Sequence, residues 1–388
     1  MKMKKENGAA KKTVRTFAVA SFLNDMGSDM IYPIWPIFVT SFMGANMAVL
    51  GLIDGLGEAL VSLSQAGSGY ASDRLRKRKP FIWTGYIFGS LSRIGYAISS
   101  LWWHLIPFKV LDRVGKIRGA PRDAMLADIS TDKNRGRNFG LLRMMDNLGA
   151  VAGILLCILL VDQIGYRTLF LIAAVPSLIG ALLIFVMIKE KKDLKAKVFK
   201  GLSFKDLDRN FKLFFFLNGL FALGSFSYSF MIVLADEAGF KSMFVPVLYL
   251  LFTLVASLVS LPFGKLSDKI GRKPVMLLSF FLWVLMCISF IVHGSLLLVI
   301  IGFALYGLHK GALDPVQKTF VSELSPVERR ASSLGGFQMV IGLCALPGSL
   351  LAGIIWDRFG SALPFMISMA LTIVSFGLLL LVKERKGK

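Results

Sequence analysis

Asp25 and Asp29 stand four residues apart in an otherwise apolar run, and Asp54 and Glu58 repeat the spacing in the next run. Residues at i and i+4 lie along one face of a helix. Two carboxylates one turn apart in a low dielectric repel when both are ionised, which is the chemistry of a proton site. A second group is cationic. The stretch from Leu111 to Asp128, LDRVGKIRGAPRDAMLAD, sets Arg113, Lys116, Arg118 and Arg122 against Asp112 and Asp123. That surplus suits an anionic solute such as a carboxylate or phosphate compound, with Arg118 and Arg122 nearer the mouth. At about 3.6 residues per turn Asp112, Lys116 and Asp123 share about one face, and Arg113 turns about 100° away. Arg143 and Asp146, three residues apart, are expected to satisfy each other, and Arg93 to form a structural ion pair with Asp54 or Glu58.

An ionisable side chain at the centre of a bilayer costs a few kcal/mol or more unless paired or hydrated, so each of these is a functional candidate. At about 1.5 Å of rise per residue, Asp29, Glu58, Arg93, Arg113 and Asp146 fall near mid-membrane. The second half offers only His309, Lys310, Asp314 and Glu323, with Lys318 closer to the surface. Polar chemistry is concentrated in the first half, and His309 reads as a packed, hydrogen-bonded histidine. Pro33 and Pro36 in IYPIWP can kink their helix; Tyr32 and Trp35 beside them could stack a substrate or belong to an interfacial aromatic belt. Asn218, Ser225, Ser227, Tyr228, Ser229 and Gln338 supply neutral hydrogen-bonding groups that also serve as helix-packing devices.

The elements that must hold these groups are long apolar helices. Of 388 residues 55% are hydrophobic and 18% charged, against about 25% charged in an ordinary soluble domain. A crossing needs about 20 apolar residues. Twelve runs qualify, some with embedded charges: 16–43, 47–72, 80–100, 102–128, 136–161, 166–188, 212–235, 241–267, 274–293, 295–320, 329–355 and 360–382. They are long and continuous, whereas barrel strands alternate over about 10 residues, so the fold class is all-α transmembrane. The organisation is a tail (1–15), a six-helix bundle (16–188), a lysine-rich linker (189–211) with an amphipathic surface helix around 199–207, a second six-helix bundle (212–382) and a tail (383–388). The first run is too long for a cleaved signal peptide and is expected to remain as the first helix.

The net charge of +21 is sorted by loop: the outward connections keep only Arg167, Lys241 and Arg358, while most of the 45 Lys and Arg fall in the tails and the alternate loops. Basic loops stay on the cytoplasmic side. The expectation is a multi-pass protein of a prokaryotic cytoplasmic (inner) membrane with both termini cytoplasmic, a lipid-bilayer partner and no nucleic-acid partner. Cys157, Cys287 and Cys344 each lie in an apolar run without a second cysteine at metal-ligand spacing, so neither disulfide nor zinc is expected. With no phosphate loop, HExxH or GxSxG, nothing points to an enzyme, a cofactor or a metal.

The chain also repeats. GYASD (69–73) and GKLSD (264–268) recur 195 residues apart, and Lys79-Pro80 with Lys273-Pro274, Pro121 with Pro315 and Arg135 with Arg329 recur at 194, half the chain. Both copies have the same topology, so the two bundles are expected to be related by a pseudo-two-fold axis along the membrane normal.

The stretch GKLSDKIGRK (264–273) resembles the loop signature between the second and third helices of the major facilitator superfamily. The first copy, with Gly69, Asp73 and Arg74 followed by Arg76, Lys77, Arg78 and Lys79, lacks the internal glycine and is one residue longer. The fourth run is similar to that family's charged fourth helix, with Arg113 in the place of a buried arginine. The resemblance implies a secondary transporter in which two bundles expose one central site alternately to each side. It also implies gating roles for Asp73, Arg74, Asp268, Lys269 and Arg272, and a cavity lined by the first, fourth, seventh and tenth helices. That favours Asp29, Arg113 and Lys116 as cavity residues, with Asp25, Asp54, Glu58 and Asp146 beside them. The fifth run, with Gly149-Ala-Val-Ala-Gly153 followed by Ile154, lacks the Gly-Pro element of the family's proton-driven drug exporters.

The function expected is transport of a small organic solute by a monomer, coupled to protons. An uncoupled facilitator or a drug exporter of the same fold is the alternative. A polytopic receptor or lipid-processing protein stands further off, because the short outward loops offer no ligand domain.

Overall fold

The computed structural model describes residues 2–75, 77–130, 135–190, 208–240, 244–292, 295–324 and 330–384. The surface helix expected around 199–207 lies outside the described residues. Those residues form twelve helical rods: Lys2–Asp29, Met47–Leu75, Lys79–Ile98, 102–128, 135–164, 166–187, 209–237, Val245–Ile270, Arg272–Val292, Leu296–Leu324, Arg330–Phe359 and Ala362–Leu381. The fifth and sixth are joined without a loop, at Gly165 with φ +74°, a left-handed conformation that glycine adopts without the steric cost other residues incur.

Eight helical segments among the described residues are long and apolar enough to cross a membrane. The first, third and fourth rods are not in that set, and these are the rods that carry Asp25, Asp29, Arg93 and the Arg113 cluster.

Three rods are irregular. After Asp29 the first passes through a turn into a short helix, Trp35–Ile37, and a π-helical stretch, Phe38–Phe42. Pro33 and Pro36 lack the N–H groups that a continuous helix needs there. The seventh is α-helical over Arg209–Gly224 and again over Ser229–Glu237. The two interruptions fall at equivalent places in the repeat, Ile31 and Ser225 being 194 residues apart. The fourth rod runs as Trp102–Val114, a 3₁₀ turn Gly115–Arg118, and Gly119–Asp128. Here the third and fourth rods approach at their backbones: a Cβ on Gly85 would lie 2.5 Å from the Gly115 carbonyl oxygen.

The helices cluster into two units, one of residues 1–38 and 60–198, the other of residues 39–59 and 199–388. In the first unit the initial rod packs along the fifth and sixth. The Gly149-Ala-Val-Ala-Gly153 element serves that packing: a Cβ on Gly149 would stand 2.3 Å from the Phe22 carbonyl oxygen, and one on Gly153 would stand 2.2 Å from that of Met26. Small residues four apart admit a neighbouring backbone, the packing device of helices that cannot rely on hydrophobic exclusion in lipid. Phe17, Ile82, Tyr86, Leu126 and Ile184 fill the core beside it.

In the second unit the tenth rod packs against the eighth and ninth. Residues 39–59 join this unit through a second pair of glycines: a Cβ on Gly51 would meet the Ser349 carbonyl oxygen at 2.1 Å, and one on Gly55 would meet Leu346 Cα at 2.7 Å. Both Asp357 oxygens accept from the start of the second rod, from Met47 N at 2.9 Å and Ala48 N at 2.8 Å. Aromatic rings dominate the remaining core, with Phe221 stacked on Phe280 at 4.6 Å and Trp283 against His309 at 4.8 Å. His309 is buried, its Nδ1 2.9 Å from the Ser279 hydroxyl.

Candidate functional site

In the first unit, the turn that interrupts the first rod brings Tyr32 and Trp35 to the fourth. Lys109, only 3% exposed, holds its ammonium 4.0 Å from the centre of the Trp35 ring. The Arg113 guanidinium lies 5.3 Å from the centre of the Tyr32 ring, and its Nη1 donates to the Tyr32 hydroxyl at 3.3 Å. Arg113 Nε is also 3.6 Å from Asp112 Oδ2. A desolvated cation over an aromatic face gains about 2 kcal/mol, which helps to hold these charges away from water. Asp112 feels the fields of Arg113, Lys116, Arg93 and Lys109 together. Asp25 acts on Lys116 and Arg93 as well, and Asp29 on Tyr32, so cations and carboxylates share one buried cluster, an arrangement able to hold a strongly polar solute.

Asp112 and Arg113 lie in the regular helix Trp102–Val114, where successive residues turn about 100°, and as sequence neighbours they still reach each other at 3.6 Å. The 3₁₀ turn Gly115–Arg118, with about 3.0 residues per turn, stands between them and Asp123, which pairs with Arg122 and Arg143.

Arg93 differs from expectation. It is 2% exposed, and its bonds run to neutral groups rather than to Asp54 or Glu58. Nη1 donates to the Ala173 carbonyl oxygen at 3.0 Å and to the Ser177 hydroxyl; Nη2 donates to the Asn24 carbonyl oxygen at 3.2 Å and the Ser28 hydroxyl at 2.8 Å. Four acceptors on the first and sixth rods replace the carboxylate, so Arg93 is a cross-brace of the first unit.

A second ionic group occupies the other end of the fourth rod. Arg122 donates to the Ser21 hydroxyl at 2.6 Å and to Asp123 at 3.1 Å, and lies 3.9 Å from Asp146. Arg143 bridges Asp146 at 3.2 Å and Asp123 at 3.6 Å. Arg118 donates to the Gly115 carbonyl oxygen at 2.8 Å and lies 5.0 Å from the centre of the Tyr86 ring. Asp146 thus belongs with Arg122 and Arg143, whereas Arg113 belongs with Tyr32 and Asp112.

The carboxylate pairs divide. Asp25 is half-buried and accepts from the Asn24 amide at 2.9 Å; Asp29 is the last residue of the first helix before its break. Asp54 is buried in the second unit and accepts from the Ser227 hydroxyl at 2.8 Å and from that of Ser229. It therefore sits at the start of the second segment of the interrupted seventh rod, where an anion complements the helix N-terminus. Glu58, one turn on, is exposed.

The basic loops contain an arrangement that the loop signature alone did not reveal. Glu190 accepts from Arg78 N at 3.0 Å and Lys79 N at 2.8 Å, and the Arg78 guanidinium bonds Asp128. In the second half Glu384 accepts from Arg272 N and, at 3.3 Å, from Lys273 N; the Arg272 guanidinium reaches Glu323 at 3.0 Å and Asp268 at 2.5 Å. Glu190 and Glu384 are themselves 194 apart, so the repeat shift marked them. Each caps the start of a rod with both carboxylate oxygens. Of the remaining gating candidates, Arg74 and Lys269 are exposed; Asp73 lies on the second rod with its side chain outside the described residues.

Comparison with known proteins assigns the architecture. The chain matches the Major Facilitator Superfamily over residues 17–249 and 214–388. It belongs to the major facilitator superfamily. It is 36% identical over 379 residues to an uncharacterized MFS-type transporter of Methanocaldococcus jannaschii, covering 95% of this chain and 94% of that one. Among solved structures it is similar to the nucleoside transporter NupG, with a TM-score of 0.79 at 15% identity over 96% of this chain and 100% of that one. A bacterial homolog of the human lysosomal transporter Spinster superposes with a TM-score of 0.73 at 14% identity, over 98% and 99% of the two chains. The fold is the major facilitator fold, and the family is one of membrane transporters of small molecules, not of enzymes.

Proposed function

We propose that this transporter moves a small anionic or strongly polar organic solute by alternating access, coupled to protons, as a monomer in the cytoplasmic membrane with both termini inside. The observation that carries the reading is the buried cluster of cations around Asp112, built where the first rod unwinds and the fourth approaches its 3₁₀ turn. Irregular backbone at membrane depth is tolerated where it is buried in protein or lines a water-filled cavity, and half-helix ends near the midplane are where transporters of this kind bind substrate. Arg113 and Lys116 contact the solute, while Asp29 and Glu58 are the protonatable coupling groups and Asp25, Asp54 and Asp146 are further candidates for that role. Protonation removes a negative charge and shifts the populations of the two access states. Asp73, Arg74, Asp268, Lys269 and Arg272 form the cytoplasmic gate.

A thermal-shift screen of the purified protein against metabolites and drugs, followed by counterflow in proteoliposomes, supplies a solute. Uphill flux is then measured with and without an imposed pH gradient. Asp29→Asn or Glu58→Gln should abolish proton-driven accumulation and spare exchange down the solute gradient. Unchanged uphill transport in both variants rejects the coupling roles, and wild-type flux indifferent to the pH gradient makes the protein a facilitator.

A further inference from the structure

At the end of the first unit that carries the Arg78 clamp, the start of the first rod and the end of the sixth enclose a groove of about 520 Å³. Its lining is sorted by wall. Lys11, Arg15 and Val19 follow one another at four-residue intervals on one face of the first helix, with Lys12 and Thr16 beside them; Leu183 and Met187, also four apart, form the opposite wall. The cations lie in turns of the first rod near its N-terminus, with Val19 one turn further in, and Leu183 and Met187 lie in the last turns of the sixth rod, whose span ends at Met187. Charge therefore lines one wall of the groove, and hydrocarbon lines the other wall and the inner end.

The cations here differ from Arg78. Arg78 is matched by Asp128, and Glu190 takes the backbone of Arg78 and Lys79. Among the described residues no carboxylate pairs with Lys11, Lys12 or Arg15, and none lines the groove. Lys11, Lys12 and Arg15 are all exposed. The Thr16 hydroxyl is spent on the Lys12 carbonyl oxygen at 2.9 Å, which leaves the three cations as the groove's polar donors.

We propose that this groove is a binding site for one acidic phospholipid, its phosphate held by Lys11, Lys12 and Arg15 and the upper part of an acyl chain laid against Val19, Leu183 and Met187. The volume falls within the range of small-molecule sites, roughly 300–1,000 Å³. The change from ammonium and guanidinium on one wall to aliphatic side chains on the other and at the inner end matches the change along such a lipid from headgroup to chain. A free phosphate would use the cations and leave the aliphatic wall idle. The site is independent of the solute pathway and of proton coupling.

Native mass spectrometry of the full-length protein, with dioleoylphosphatidylglycerol or dioleoylphosphatidylcholine added, tests the proposal, with thermal stability in detergent as the second readout. One phosphatidylglycerol should be retained at saturation in preference to phosphatidylcholine, and inorganic phosphate should give no stabilisation. A basic residue near an anionic surface is worth about a five-fold change in binding, so Lys11→Ser, Lys12→Ser and Arg15→Ser combined should weaken retention on the order of 100-fold. Lys265→Ser with Lys269→Ser, which removes exposed basic residues elsewhere, should leave it unchanged. Arg15→Gln alone gives an intermediate loss and covers the case in which the triple variant folds poorly. Leu183→Asp should weaken the lipid without removing a cation. Equal retention of the two lipids, unaltered retention in Arg15→Gln, equal losses from Lys265 and Lys269, or stabilisation by phosphate alone would each overturn the site.

Discussion

The fourth and tenth rods occupy equivalent places in the repeat, yet one is charged and broken and the other nearly apolar and continuous. Both carry the matched proline, Pro121 or Pro315, and Lys116 is matched by Lys310. In the fourth, Lys109, Asp112, Arg113, Arg118 and Arg122 are all engaged within the first unit, and the helix tightens to 3₁₀ at Gly115–Arg118. The tenth runs unbroken over Leu296–Leu324, with Lys310 paired to Asp314 one turn away at 3.7 Å. At the helix ends the halves agree: Glu190 and Glu384 perform the same capping on Arg78-Lys79 and Arg272-Lys273. The two halves share the scaffold and its ties, while the interior of one carries charge and that of the other is filled with aromatic rings.

That contrast can be broken in order of expected effect. The scaffold should respond alike in both halves. A Cβ on Gly153 would sit 2.2 Å from the Met26 carbonyl oxygen, and one on Gly348 would sit 2.5 Å from that of Leu223. Gly153→Leu and Gly348→Leu should each cost about 3 kcal/mol or more through overpacking, seen as a loss of monodisperse protein on size-exclusion chromatography. Gly377→Leu, in open space, should be silent. A tolerated Gly153→Leu would remove the packing argument for the first unit.

Chemistry should differ between the halves. Arg113→Ala removes a charged hydrogen bond to Tyr32 and the neighbour of Asp112; solute flux should fall about 10- to 100-fold, the equivalent of about 1.5–3 kcal/mol. Stability measured alongside separates a transport defect from unfolding. The clamps come next: Glu190→Gln and Glu384→Gln should each lower stability by about 1 kcal/mol, the usual cost of a lost cap, and by similar amounts. Thermal melts that differ widely would mean that the two caps are alike in geometry only. Smallest is Lys310→Ala, an exposed i,i+4 pair worth about 0.3–0.5 kcal/mol; a loss of flux as large as that of Arg113→Ala would erase the asymmetry.

Much of the fold was legible because spanning helices announce themselves by length and the repeat announced itself by recurring residues. All twelve apolar runs correspond to rods, and the breaks near Pro33 and Pro36 follow from missing backbone donors. Site geometry was less legible for identifiable reasons. Spacing offered Arg113 nearby carboxylates but could not show that Tyr32, distant in sequence, would take its guanidinium. Arg93 satisfied its charge with serines and carbonyl oxygens, partners with no charge signal in a sequence. Glu190 and Glu384 could have been found, since they obey the same 194-residue shift as the other matches. The association of residues 39–59 with the second unit was signalled only by Gly51 and Gly55, whose spacing shows that a backbone approaches but not which one.

Gly165 has a mechanical consequence. A single left-handed residue, with no loop on either side, joins the fifth and sixth rods, so there is no slack by which their meeting ends could part. The rod that carries Asp146 and the rod whose Ala173 and Ser177 seat Arg93 are tethered end to end at Gly165.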